Sequence, residues 1–119
     1  MILVDTSVWV DHFRTGNPTL RRMLEGGTVA CHPFIIGELA CGNLRRRSEI
    51  LEHLETLPPV SVAQHTEVLA LIERRNLMGR GLGWVDVHLL ASALLSDAAL
   101  WTLDRSLLSA VHAIGLPSG

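Results

Sequence analysis

Four carboxylates carry the clearest chemical signal in this chain. Asp5 follows the apolar run Ile2-Leu3-Val4, Glu38 is set within Phe34-Ile35-Ile36-Gly37-Glu38-Leu39, Asp86 lies between Val85 and Val87, and Asp104 ends Leu100-Trp101-Thr102-Leu103. An unpaired ionised carboxylate is costly to desolvate, so acids among Val, Leu and Ile call for a cation or a hydrogen-bond network. A hard divalent ion such as Mg²⁺ suits a set of oxygen ligands. Hydrolysis of a phosphodiester needs activated water, in-line attack and charge neutralisation at the leaving oxygen, and two ions about 3.5–4 Å apart supply all three. Without metal, the same acids repel one another and some pKa values rise. Metal is therefore expected to stabilise the fold.

Each acid also has a plainer reading. Asp5 and Asp104 suit N-caps of following helices, and Asp86 suits a dipole-favoured first turn. Glu38 has no arginine or lysine three or four residues away, and shares its helical face with Phe34, Ile35, Cys41 and Gly42. It is expected to point among apolar groups. One shared acidic site accounts for all four more economically than separate caps and one buried, unpaired glutamate. Thr6, Ser7 and Thr102 lie within two residues of Asp5 or Asp104. Their hydroxyls are placed to orient the ligating carboxylates, local backbone capping being the alternative.

Arg80, inside Gly79-Arg80-Gly81-Leu82-Gly83 and near Asp86, is the basic residue best placed to steer a phosphate backbone such as RNA. The Arg45-Arg46-Arg47 run, with Arg74 and Arg75, has the same potential or forms a solvated helix face. His12, His32, His53, His65, His88 and His112 form no metal motif and read as surface or satisfied core residues. Trp9, Trp84 and Trp101 fit core anchors better than base-stacking platforms, Trp84 being the one to test against RNA.

The elements that must position these groups follow from the apolar pattern. Ile2 to Val4 reads as a strand delivering Asp5, followed by a helix through Phe13. A helix over Thr19 to Glu25 stops at Gly26-Gly27, Thr28 to Cys31 reads as a buried strand, and Pro33 opens the helix bearing Glu38. Asn43 to Leu57 reads as an amphipathic helix ended by Pro58-Pro59, Val60 to Ala63 as a short strand, and Glu67 to Leu77 as a helix before a mobile glycine loop. Trp84 to Ser96 is an apolar helix, Ala98 to Leu103 a strand delivering Asp104, and Arg105 to Ile114 the last helix. Alternating strands and helices predict parallel strands with helices on both faces, and ligands beyond the strand C-termini.

The 119 residues, 48% hydrophobic, fit one domain spanning 1–119 with its own core. Mean hydropathy is +0.31, yet no apolar stretch reaches the ~18 residues of a membrane span. The N-terminus has no basic leader, so a cytoplasmic protein is expected. Cys31 and Cys41 have neither a CxxC spacing nor a zinc pattern and read as buried free thiols. The net charge is −2, but with the four site acids set aside eight acids face ten arginines, so a metal-filled site no longer repels phosphate. Lysine is absent.

The chain resembles PIN-domain ribonucleases, and specifically the toxins of VapBC type II toxin–antitoxin pairs. The likeness spans nearly the whole chain through Val4-Asp5-Thr6-Ser7, Glu38-Leu39 with Gly42, Asp86 followed by Leu90-Ala91-Ser92-Ala93, and Thr102-Leu103-Asp104. It implies a three-layer α/β/α sandwich around a parallel sheet of five or so strands. It also implies Mg²⁺ or Mn²⁺ held by Asp5, Glu38, Asp86 and Asp104, with Thr102 in support. The implied activity is cleavage of single-stranded or loop RNA, often transfer or ribosomal RNA, which stops translation until a VapB-type antitoxin blocks the site. A homodimer is implied as well. The antitoxin is expected to lay apolar residues in grooves beside the amphipathic helices and to insert a basic side chain among the acids. Ser106 departs from the family, whose members often carry another acid two residues after the last one, and this bears on a second metal.

Other classes fit less well. A receiver domain needs a lysine near its strand-end aspartate, and a dinucleotide site needs GxGxxG after the first strand. A catalytically silent PIN-fold module that binds an antitoxin-like partner is the alternative, against which the four intact acids count.

Overall fold

Ile2–Val4 (β1) is the middle strand of a parallel sheet ordered β2-β1-β3 in the computed structural model, which describes residues 1–119. Its neighbours are Val29–Ala30 (β2) and Ala99–Trp101 (β3). Ile2 pairs with Val29 and Ala99, Leu3 with Ala30 and Leu100, and Val4 with Trp101. Leu3, Val4 and Leu100 are completely buried, as expected where helices cover both faces of parallel strands.

The helices are Thr6–Thr15 (α1), Pro18–Glu25 (α2), Pro33–Ala40 (α3), Arg47–Thr56 (α4), His65–Arg75 (α5), Trp84–Leu95 (α6) and Arg105–Ala113 (α7). Val87 to Ala93 of α6 are buried without interruption, so this helix is enclosed on all sides at its centre. One continuous apolar cluster runs from Leu3 and Val4 through Ile35, Leu39, Leu89, Leu90 and Leu107 to Leu116. No helix is long and apolar enough to cross a membrane.

The sheet has three strands rather than five, with a single-residue bridge beyond each edge: Cys31 to Pro59, and Leu100 to Ser118. Val60 to Ala63 is therefore not a strand. Pro58 and Pro59 have no N–H to donate to a ladder. Val60 N–H donates to the Cys31 carbonyl at 3.1 Å, but beyond it amides are captured from the side, Ser61 N–H by Ser96 Oγ at 2.8 Å and Ala63 N–H by Ser92 Oγ at 3.2 Å. The expected helix from Asn43 starts only at Arg47, because Arg46 takes a left-handed conformation (φ 53°) that is costly within a helix.

Candidate active site

The sheet presents Asp5. Its N–H continues the β1–β3 pairing by donating to the Trp101 carbonyl at 2.9 Å, so the residue is fixed before its side chain makes any contact. Asp5 is only 7% exposed, and all its side-chain hydrogen bonds fall on Oδ2. The donors are Ser7 Oγ at 2.7 Å, Thr102 Oγ1 at 2.8 Å and, more weakly, Ser7 N–H at 3.4 Å. Ser7 Oγ also accepts from Leu103 N–H at 3.0 Å, and Thr102 Oγ1 from Asp104 N–H at 3.0 Å. Two hydroxyls thus tie the end of β1, the start of α1 and the exit from β3 into one network.

The other three carboxylates sit on helices around this point. Asp104 caps α7 through Oδ1, which accepts from Leu107 N–H at 2.9 Å. Asp86 turns Oδ2 back to Gly83 N–H at 2.9 Å in the first turn of α6. Glu38 Oε1 accepts from Thr6 Oγ1 at 2.7 Å, which places it beside the residue following Asp5. Burial raises the Asp86 pKa, the Gly83 amide partly offsets that, and the negative charges of Asp5 and Asp104 push it further upward. Asp86 therefore lies within electrostatic reach of both.

Each of the four carboxylates engages the protein through one oxygen and leaves the other without a protein donor. An all-oxygen donor set under mutual repulsion suits a hard divalent cation. In this conformation no three acidic, histidine or cysteine side chains close around a common point. Each acid instead leans on its nearest local donor.

Glu38 is exposed, against the expectation of an apolar surrounding. The core face of α3 is Ile35 and Leu39, both at most 2% exposed. Glu38 shares the adjacent stripe with half-buried Phe34 and exposed Cys41 and Gly42. Cys41 is accordingly not a buried thiol, whereas Cys31 is, and burial lifts its pKa to about 11.

Of the arginines, Arg80 stands in the loop that reaches the site. Gly81, with φ +77°, comes so close to Ser106 that an added Cβ would lie 3.1 Å from its Oγ. Ser106 is two residues beyond Asp104. Arg45 and Arg46 are exposed in the turn before α4. Arg47 is engaged structurally, its Nε and Nη2 both donating to the Ala40 carbonyl at 3.1 and 2.9 Å at the end of α3. Arg75 Nη1 reaches the Ile114 carbonyl at 3.4 Å.

A series of rings beside the acids was not foreseen from the sequence. His65, Trp84, His88, Phe34 and His32 follow one another with neighbouring centroids 4.7–5.1 Å apart. His32 and His88 are buried, but they are not satisfied: His32 Nε2 and His88 Nδ1 lack partners, as does Trp9 Nε1. His32 Nδ1 caps α3 by accepting from Phe34 N–H at 2.9 Å. The one sequence signal for this role was the placement of His32 directly before Pro33, the first residue of α3.

The PIN domain family model matches residues 2–112. Ribonuclease VapC32 of Mycobacterium tuberculosis, in two strains, is 46% identical over 117 residues, covering 98% of this chain and 94% of the relative. Three solved structures share the fold. PAE2754 from Pyrobaculum aerophilum has a TM-score of 0.61 at 21% identity, covering 91% of this chain and 77% of that one. FitAB bound to an IR36 DNA fragment has a TM-score of 0.64 at 18% identity, with 100% and 94% covered. FitAcB from Neisseria gonorrhoeae has a TM-score of 0.62 at 18% identity, with 99% and 96% covered.

Proposed function

The chain belongs to the PIN-domain family and, within it, to the VapC-type ribonuclease toxins, and from that premise we propose that Asp5, Glu38, Asp86 and Asp104 form a divalent-metal site for endonucleolytic RNA cleavage. The observation that carries this reading is the open oxygen left on each carboxylate. Mg²⁺ or Mn²⁺, when bound, supplies an activated water and neutralises charge on the leaving oxygen. The protein supplies position. Ser7 and Thr102 hold Asp5 by Oδ2 and leave Oδ1 without a protein donor, and Thr6 does the same for Glu38. Arg80 attracts the RNA backbone. Transfer or ribosomal RNA is the proposed substrate class, and the cytoplasm the proposed place.

The proposed partner is a VapB-type antitoxin. A groove of about 370 Å³ among α1, α2 and α4 is lined by Trp9, Phe13, Leu24, Ile50, Leu54 and Leu57. It continues at Phe13 and Ile50 into a second groove flanked by Arg14 and Arg45. Apolar antitoxin side chains suit this floor, and a basic residue suits the four acids. A homodimer is proposed on the family likeness, to be read by sedimentation.

The test is incubation of partner-free protein with total cellular RNA in Mg²⁺ or Mn²⁺, beside EDTA and Asp5→Asn controls. Discrete fragments absent from both controls are expected. Folded protein that leaves RNA intact in either metal would favour the catalytically silent binding module.

A further inference from the structure

We propose that Trp84 is a stacking platform for a nucleobase flanking the scissile phosphodiester, a reading that rests on the ribonuclease site described above. The three tryptophans divide sharply. Trp9 is 3% exposed and Trp101 half-buried, whereas Trp84 is 40% exposed. Leaving so large a ring in water forgoes much of its burial energy.

Trp84 is the first residue of α6, next to Gly83, whose N–H Asp86 holds. A helical rise of about 1.5 Å per residue sets Trp84 about 3 Å from Asp86 along the axis. Two residues also turn the side chains about 200° apart, so Trp84 and Asp86 leave opposite sides of the first turn of α6, and a strand that touches both would cross the N-terminal end of that helix. This is where the base of a neighbouring nucleotide would lie.

Two imidazoles pack against the ring. His88 meets it at 4.8 Å and 83°, and His65 at 5.1 Å and 53°. No protein ring lies parallel to it; the stacked pair of the molecule is Trp9 with Phe13. His88 is itself braced by Phe34 at 4.7 Å, which packs on buried His32 at 5.0 Å. The indole is thus packed by two imidazoles and has no stacked ring partner. Stacking on such a surface is tolerant of base identity, and Arg80 in the adjoining loop offers the phosphate contact that a platform lacks.

The decisive variants are Trp84→Leu, which keeps apolar contact with His65 and His88 but removes the aromatic face, and Trp84→Phe, which restores a face. In cleavage of a single-stranded oligonucleotide, W84L should raise KM about 5- to 100-fold with kcat nearly unchanged, and W84F should recover most of the loss. The dependence of KM on salt should be unaltered in W84L and flattened in Arg80→Ala. Oligouridylate should also quench the Trp84 share of the fluorescence of Asp5→Asn protein, measured as the difference from D5N carrying W84F. That readout separates two failures. Quenching without cleavage by the wild type overturns the ribonuclease and retains the platform, whereas cleavage with no quenching and an unchanged W84L KM overturns the platform. A W84L protein that cuts RNA normally but loses affinity for its antitoxin would assign the ring to a protein partner and equally overturn the proposal.

Discussion

The proposed acidic site has two halves built on different principles. At the strand ends, Asp5 is buried and receives two short hydroxyl bonds on a backbone already fixed by β3. On the helices, Glu38 is exposed with one hydroxyl bond and Asp86 is half-buried with one amide bond. The strand half is preorganised, whereas the helix half leans on local donors that a cation can replace. As the proposed metal site, this arrangement would keep one rigid anchor and let the repelling charges relax until a cation binds.

The sharpest way to break this contrast is to compare Asp5→Asn with Glu38→Gln. Both should lower metal-dependent cleavage by roughly 10³-fold or more if the acids act as one unit. Their effects on metal-free stability should differ. Asp5→Asn relieves some repulsion with Asp86 but weakens two charge-assisted bonds, each worth about 1.5–3 kcal/mol, so the melting temperature should fall. Glu38→Gln should stay within about 0.5 kcal/mol of the parent. Equal destabilisation in urea titrations would show that the two halves are equally fixed.

The strand half was legible in the sequence and the helix half much less so. Asp5 and Asp104 follow apolar runs and precede helices, a pattern that sets both place and direction. Pro33 to Ala40 is apolar almost throughout, so its periodicity has no clear phase, and nothing local shows that Ile35 and Leu39 rather than Phe34 and Glu38 face the core. Val60 to Ala63 misled for a related reason. Its Ser61 and Ala63 amides are captured by Ser96 and Ser92, 35 and 29 residues away, a tertiary event that β-propensity cannot register. The ring series from His65 to His32 joins three helices and was likewise invisible.

The helix half should also be the acid-sensitive one. Burial first, and then the neighbouring His88, lower the His32 pKa from its ordinary 6.5 to about 4, and burial lowers that of His88 as well. In the unfolded chain His32 takes up a proton near pH 6.5, while in the folded one it resists until about pH 4. Its contribution to stability is therefore complete above pH 6.5 and declines as pH falls towards 4. Protonated Nδ1 can no longer accept from Phe34 N–H, so the start of α3, the helix carrying Glu38, should fray first. His32→Asn keeps a capping acceptor without the titration. Its stability, followed by urea unfolding, should be flatter than the parent's over that window, and parallel profiles would remove His32 from the account.

A supporting hydroxyl should matter more where the acid is fixed. Thr102→Val removes the donor to Asp5 Oδ2 and the acceptor for Asp104 N–H at once, and should weaken metal binding about 10- to 100-fold. Thr6→Ala removes one bond to an exposed glutamate that water can replace, so a few-fold loss is expected. Calorimetric titration with Mn²⁺ reads both, and a larger effect at Thr6 would reverse the assignment of the two halves.

The smallest expected effect concerns the glycine loop that brings Arg80 towards the strand half. Gly79 and Gly81 have φ of +73° and +77°, a backbone conformation that disfavours side chains, so alanine at either should cost about 1 kcal/mol or slightly more. Their surroundings differ. A Cβ at Gly79 meets nothing within 4 Å, whereas one at Gly81 would lie 3.1 Å from Ser106 Oγ, so that the loop or the hydroxyl must give by a few tenths of an ångström. Backbone strain is thus common to both variants, and contact with the site belongs to Gly81→Ala alone. If the loop positions Arg80 over the acids, Gly81→Ala should raise KM for RNA several-fold beyond Gly79→Ala at matched stability. Adding Ser106→Gly should restore it by vacating the space the new methyl needs. Equal kinetics for the two alanine variants would mean that the approach of the loop to Ser106 does not set the place of Arg80.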